Sequence, residues 1–317
     1  AGPGGYIAAI RAAQLGMSVA CIDAWATADG KPAPGGTCTN VGCIPSKALL
    51  QSSEHYHQVN SSFADHGIKV KGVDLDLDKL LGRKDTVVTQ NNQGILYLFK
   101  KNKVTFFHGT GSFVAQVDGG WSLKVSGNAE EDLIAKHVII ATGSSPRALP
   151  KLPFDEERVL SNDGALRIPE VPAKLGVIGA GAIGLEMASV WSRLGAQVTV
   201  LEALPDFLAV VDQQVAKEAQ KALAKQGLTI HTGVKTGEIK VGKKGVTVPY
   251  TDSAGAEQTL QVDRLIVSIG RVPNVEGLGV ETVGLKTDER GFPTYGRWAT
   301  WYVAPCWRTK PKLKAWR

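Results

Sequence analysis

Two cysteines five positions apart, Cys38 and Cys43, stand in the run Gly35-Gly36-Thr37-Cys38-Thr39-Asn40-Val41-Gly42-Cys43-Ile44-Pro45-Ser46-Lys47. Paired thiols can cycle between dithiol and disulfide, and the reactive species is the thiolate. A spacing of this kind suits a redox pair, a structural disulfide or half of a metal site. There is no second cysteine pair, and His55 and His57 follow a different spacing, so no metal is expected. The pair follows one glycine-rich turn by about thirty residues and precedes another, a setting that favours redox chemistry. Cys21, in the middle of an apolar run, reads as a buried small hydrophobe. His108 and His137 flank strand-like segments and read as satisfied polar residues.

Two glycine turns must position this chemistry. Ala1-Gly2-Pro3-Gly4-Gly5, followed by small residues to Ala13, matches the later part of a G-x-G-x-x-G turn, with Gly2 and Gly5 as its second and third glycines. A strand over 19–22 then ends at Asp23, an acidic residue suited to ribose hydroxyls. Helices are expected over 48–65 and 75–101. Strands are expected over 104–107, 121–125 and 133–141, the last running into Thr142-Gly143. Near Lys174 a second unit begins. Leu175–Ile178 reads as a buried strand, Gly179-Ala180-Gly181-Ala182-Ile183-Gly184 is a complete G-x-G-x-x-G, and a helix leads to a strand ending at Glu202. Neither Arg nor Lys follows in 203–206 to meet a 2′-phosphate, so NAD is expected rather than NADP. A helix over 213–226, strands near 228–231 and 246–250, and a strand over 264–268 complete this unit. The fold class expected is α/β, with two Rossmann-like dinucleotide-binding domains. The first would take FAD, because the cysteine pair follows it directly.

Composition sets the outer bounds. The 317 residues suffice for about two ordinary domains. No apolar run approaches the roughly 18 residues that span a bilayer, so no membrane partner is expected. The net charge of +6 resides in residues 297–317, which hold six basic residues, no acidic ones and four of the seven Trp. A basic, aromatic tail can bind nucleic acid. Here it is read differently, and no nucleic-acid partner is expected.

These features together resemble the flavin-dependent disulfide oxidoreductases, in particular their lipoamide branch, over residues 1 to about 292. The specific residues are the Cys38–Lys47 run with its Ile-Pro-Ser-Lys ending, Gly181-Ala182-Ile183-Gly184-Leu185-Glu186, and Ser268-Ile269-Gly270-Arg271-Val272-Pro273-Asn274. The resemblance implies FAD and NAD as cofactors and oxidation of protein-bound dihydrolipoyl groups. Cys38 would exchange with substrate, Cys43 would face the flavin, and Lys47 would contact the flavin and pair with Glu186. FAD contacts are implied for Gly2, Gly5, Asp23, Gly36, Thr37, Lys47, Gly111, Thr142 and Gly143, and NAD contacts for Gly179, Gly181, Gly184, Glu202 and Gly270. Implied partners are lipoyl-bearing proteins of 2-oxo acid dehydrogenase or glycine cleavage complexes and a second copy of the chain. The compartment would be the cytoplasm of a bacterium or the matrix of a mitochondrion. Alternatives are a glutathione-type or mercuric reductase of the same family, or a non-catalytic nucleotide-binding fragment. In a regular helix, residues five apart are separated by about 8–9 Å between Cα atoms, too far for a disulfide. Cys38 is therefore expected before the helix or in a distorted first turn, with Gly42 easing the bend.

The expected domains are an FAD-binding domain over 1–150, an NAD-binding domain over 151–272 and a return to the first domain over 273–292. The family's Gly-Asp flavin segment and dimerisation domain are expected to have no counterpart here, the basic Trp-rich tail standing in their place, and its His-Glu base none either, since the last histidine is His231. Residues 293–317 are read as an out-of-frame tail. With codons shifted one base earlier from Tyr295, the Trp codon forces Gly across Trp298/Ala299 and Val across Trp301/Tyr302, compatible with a flavin segment. On this reading the intact product is the enzyme, whereas the chain as written folds poorly and is inactive.

Overall fold

The computed structural model describes residues 1–289 and the backbone of a two-residue strand at Thr300–Trp301, which runs parallel to Ile139–Ile140. Apart from that backbone, the tail over 293–317 lies outside the described residues, as do the last residues of the 273–292 return. The chain divides into two units. One holds residues 1–44, 87–145 and the chain from Arg271 onward, and the other holds 45–86 and 146–270. The second thus takes in a segment, 45–86, that a boundary at residue 150 assigns to the first domain.

In the first unit, α1 (Pro3–Gln14) begins with Gly2 as its N-cap and Pro3 in its first turn, where a missing N–H costs nothing. β1 (Ala20–Asp23) follows, then α2 (Gly36–Val41), α3 (Cys43–Ser61) and α4 (Leu77–Lys101). β2 (Thr105–His108) pairs parallel with β1, register Asp23 to His108. Ala9, Cys21, Ile95, Phe99 and Val104 form a core behind that pair. β3 (Thr110–Val117), β4 (Gly120–Ser126) and β5 (Glu131–Ala135) make an antiparallel meander, and β6 (Ile139–Ile140) and β7 (Ser144–Pro146) follow. The single strand expected over 133–141 is therefore two. β5 leaves its partner at Ala135, opposite Trp121, just where β4 begins at the tight Gly119–Gly120 turn.

The second unit is built on a five-stranded parallel sheet. Its strands are β8 (Val159–Leu160), β9 (Lys174–Ile178), β10 (Gln197–Leu201), β11 (Thr229–His231) and β16 (Arg264–Val267), in the order β11-β10-β9-β16-β8. The helices are α5 (Asn162–Ala165), capped by the Ser161 hydroxyl, α6 (Ala182–Arg193) and α7 (Gln213–Lys225), capped by Asp212. β9 is buried from Leu175 onward, as a central parallel strand covered on both faces must be. Trp191 on α6 is fully buried and donates its indole N–H to Ala165 O at 3.0 Å. β12 (Lys235–Thr236), β13 (Lys240–Gly242), β14 (Gly245–Thr251) and β15 (Glu257–Val262) form a separate antiparallel sheet. Val246, Val248 and Val262 of that sheet share a core with Ile178, Leu201 and Leu265. The chain then re-enters the first unit through β17 (Arg271–Pro273), which pairs with β7. Among the described residues, no helix is long and apolar enough to cross a membrane.

Candidate functional site

Cys38 and Cys43 form a disulfide with a Cα–Cα distance of 4.7 Å, well inside disulfide reach. They manage this because the helix is broken between them. Gly42 has φ −143° and ψ −114° and separates α2 from α3. A Cβ there would lie 2.9 Å from the Thr37 carbonyl oxygen and 3.3 Å from the Cα of Cys38. The expectation for Cys38 is corrected in one respect: it sits within a short helix of its own, and Cys43 opens the next.

Two asparagines hold the chain leading into this pair. Asn40 Nδ2 donates to Ala33 O at 2.9 Å and Gly36 O at 3.1 Å. The buried Asn92, on α4, donates to Pro34 O at 2.8 Å and to Asn40 Oδ1 at 3.0 Å. Sequence reasoning missed both. Asn40 could have been suspected from its place inside the cysteine run, but nothing marks Asn92.

The expected FAD residues other than Lys47 lie in the first unit. Gly2 O accepts the first N–H groups of α1, from Gly5 at 2.8 Å and Tyr6 at 2.9 Å. Gly36 has φ +59°, and a Cβ there would meet Gly2 Cα at 2.6 Å, so the glycine turn and the cysteine segment touch backbone to backbone. A Cβ on Gly5 would touch that of Ala141 at 3.4 Å. The Asp23 carboxylate, at the end of β1, accepts from Trp25 N at 2.7 Å and from the amino group of Ala1. Gly111, in β3, faces Ile22 beside it. Thr37 Oγ1 accepts from Arg271 Nη2 at 3.2 Å, while Arg271 Nε donates to Ser144 Oγ at 2.8 Å. Asn274 grips the Thr142-Gly143 turn. Its N donates to Gly143 O at 3.1 Å, its Nδ2 donates to Thr142 O at 3.1 Å, and its O accepts from Thr142 Oγ1 at 2.5 Å.

The expected NAD residues lie in the second unit. Gly179, at φ +101°, leaves β9, and a Cβ there would strike the Ser268 carbonyl. Gly184 lies so close to β9 that its Cβ would strike the Gly179 carbonyl, whereas Gly181, the N-cap of α6, has open space around it. Glu202, just beyond β10, accepts from Ala180 N at 2.7 Å and Leu204 N at 2.8 Å. Gly270, at φ +119°, accepts from Arg147 N at 3.0 Å.

Lys47 and Glu186 also meet within this unit. Lys47 Nζ donates to Glu186 Oε1 at 2.5 Å, and the buried Ser46 donates to Glu186 Oε2 at 3.1 Å. Cys21 is a buried free cysteine, and burial raises its thiol pKa.

Residues 1–295 match the family described as pyridine nucleotide-disulphide oxidoreductase. The dihydrolipoyl dehydrogenase of Cupriavidus necator is 57 % identical over 294 residues, covering 92 % of this chain and 61 % of that protein. The mitochondrial dihydrolipoyl dehydrogenase of Pisum sativum is 45 % identical over 293 residues, 92 % of this chain and 56 % of that one. Among solved structures, LpdA from Mycobacterium tuberculosis matches with a TM-score of 0.83 at 25 % identity, covering 96 % of this chain and 65 % of that chain. The chain spans about three-fifths of the length of these curated relatives. With two dinucleotide turns and a disulfide between helices, matched along nearly its whole described length, the chain belongs to the pyridine nucleotide-disulphide oxidoreductase family.

Proposed function

We propose that this chain carries the dinucleotide-binding and redox-disulfide parts of a dihydrolipoyl dehydrogenase, which oxidises protein-bound dihydrolipoyl groups with NAD+. The observation that carries this reading is the Cys38–Cys43 disulfide at the Gly42 helix break. Residues within each unit suit one of the two cofactors. Gly181 leaves the N-terminus of α6 open to a pyrophosphate, and Glu202 stands at the adjoining strand end for a ribose. Gly2, Gly5, Gly36, Thr37, Gly111, Thr142 and Gly143, with Asp23, would hold FAD. When bound, FAD supplies two-electron acceptance from the dithiol, and NAD accepts the electrons as hydride.

This chain's own part of the chemistry is thiol–disulfide exchange. A dihydrolipoyl thiolate attacks Cys38 Sγ, the Cys38–Cys43 bond breaks, and Cys43 leaves as thiolate. The second dihydrolipoyl thiolate then attacks the mixed disulfide. The lipoyl disulfide departs and Cys38 is released as thiolate, so the dihydrolipoyl dithiol has lost two electrons to the Cys38–Cys43 pair and two protons to solvent. Cys43 suits the leaving position because it opens α3, where the helix dipole stabilises a thiolate. Lys47, paired with Glu186, lies one turn further along that helix.

Partners on this reading are lipoyl-bearing proteins and a second copy of the chain. The compartment on this reading is bacterial cytoplasm or mitochondrial matrix; one relative is bacterial and another is named mitochondrial. The test uses the chain grafted onto the C-terminal segment of the Cupriavidus relative. Dihydrolipoamide with NAD+ should turn over, while oxidised glutathione with NADPH should not. The converse preference would favour a glutathione-type reductase, and full function after Cys43→Ser would favour a non-catalytic module.

A further inference from the structure

Two polar contacts between α3 and α6, both inside the second unit, repeat at the same interval with their charges exchanged. Lys47 on α3 meets Glu186 on α6 at 2.5 Å. Seven residues later on each helix, Glu54 on α3 meets Arg193 on α6 at 2.7 Å. Seven residues are close to two helical turns, so Lys47 and Glu54 share one face of α3, as Glu186 and Arg193 do on α6. The Arg193 side chain is 15 % exposed and Glu54 37 %, against 43 % for Lys47 and 24 % for Glu186, so it is the cation that is the more sheltered in the second clasp. Glu54 is also braced by its own helix, because its Oε1 accepts from Gln58 Nε2 at 3.0 Å.

We propose that Glu54 and Arg193 are positioning residues: a charge-reversed second clasp that sets the register of α3 on α6 and so keeps Lys47 on Glu186. A half-exposed lysine pair holds its geometry weakly by itself, because solvent screens it and the long side chain resists ordering. A second pair two turns away removes the freedom to slide or twist. The inference rests on the oxidoreductase reading for its purpose, because it steadies the helix that Cys43 opens and the lysine one turn on. The contacts themselves stand independently of that reading.

The test is site-resolved acetylation of the full chain with an N-hydroxysuccinimide ester, read by mass spectrometry. Neither bound dinucleotide nor turnover is needed, so its outcome is separate from that of the proposed activity. Arg193→Glu should raise the acetylation rate of Lys47 about two- to fivefold, the range expected for loosening one partly exposed ion pair. Lys221, on α7, should keep its rate. The exchange Glu54→Arg with Arg193→Glu should return Lys47 to near the parent rate. Glu54→Gln, the gentler change, should raise Lys47 in the same direction and serves if Arg193→Glu does not fold. An unchanged Lys47 in the single variants overturns the proposal. So does a rise shared by every lysine, or an exchange variant that does not restore the rate.

Discussion

Cys21 and the Cys38–Cys43 pair place one functional group in opposite surroundings. Cys21 faces Ala9, Ile95, Phe99 and Val104, and burial raises its thiol pKa. It should therefore resist iodoacetamide in the native chain at pH 8 while Cys38 and Cys43, once reduced, are alkylated. Equal labelling by peptide mapping would contradict this. Asp155 shows the other direction. Its burial raises the carboxyl pKa, but the N–H groups of Val159, Glu157 and Arg158 outweigh that and hold it below the ordinary value. A depressed folded-state pKa gives stability that is present above the unfolded value, about 4, and lost as pH falls through the folded value. Asp155→Asn should thus cost at most about 1 kcal/mol at pH 7, after allowing for solvent screening. That cost should be smaller at an acidic pH below the unfolded value. Urea midpoints at the two pH values measure it, and a pH-independent difference would sink the idea.

At the scale of elements, the glycine turn of the second unit is set by backbone clearance. Gly184 lets α6 lie directly on β9, and any side chain there meets the Gly179 carbonyl. Gly184→Ala should cost about 1–3 kcal/mol by overpacking and weaken NAD binding, because the helix N-terminus must move. Denaturant unfolding and calorimetric titration with NAD+ check both parts. A variant of parent stability and affinity would show that the turn has slack. Elements also explain what pattern reading missed. Asn274 grips Thr142-Gly143 from more than 130 residues away, and Arg271 reaches Thr37 from still further. Sequence local to either end carries no trace of such partners, although both residues fall in a run that the family resemblance had marked. The strand over 110–117 went unread because its alternation is interrupted by the register shift between Phe113 and Ala115.

On the scale of the whole molecule, the chain leaves the first unit after Ile44 and returns at Val87, so α3 and α4 each begin in one unit and end in the other. The excursion includes residues 68–76, which form no regular structure, and within them Lys69 and Lys71 are exposed. Among the described residues, brief trypsin treatment should cut first at Lys69 or Lys71, since exposed chain without ladder hydrogen bonds fits a protease site. First cuts inside α6 or the five-stranded sheet would mean that the second unit is not folded as described.

The chemistry-bearing residues were legible in the sequence because their constraints are local. A glycine turn needs its glycines next to one another in the chain, and the cysteine pair announces itself by spacing and neighbours. The sheet of the second unit was legible for a similar reason, since strands buried on both faces must be apolar throughout. The break at Gly42 was expected from the spacing, but only the tertiary structure decided how closely the chain passes itself there, with the Thr37 carbonyl so near Gly42 that a side chain would strike it. It alone decided which distant polar groups hold the turns, and that Lys47 and Glu54 meet Glu186 and Arg193 in matched register. Hydrogen bonds and ion pairs between remote segments depend on where folding places the chain, and no short window of sequence encodes that placement.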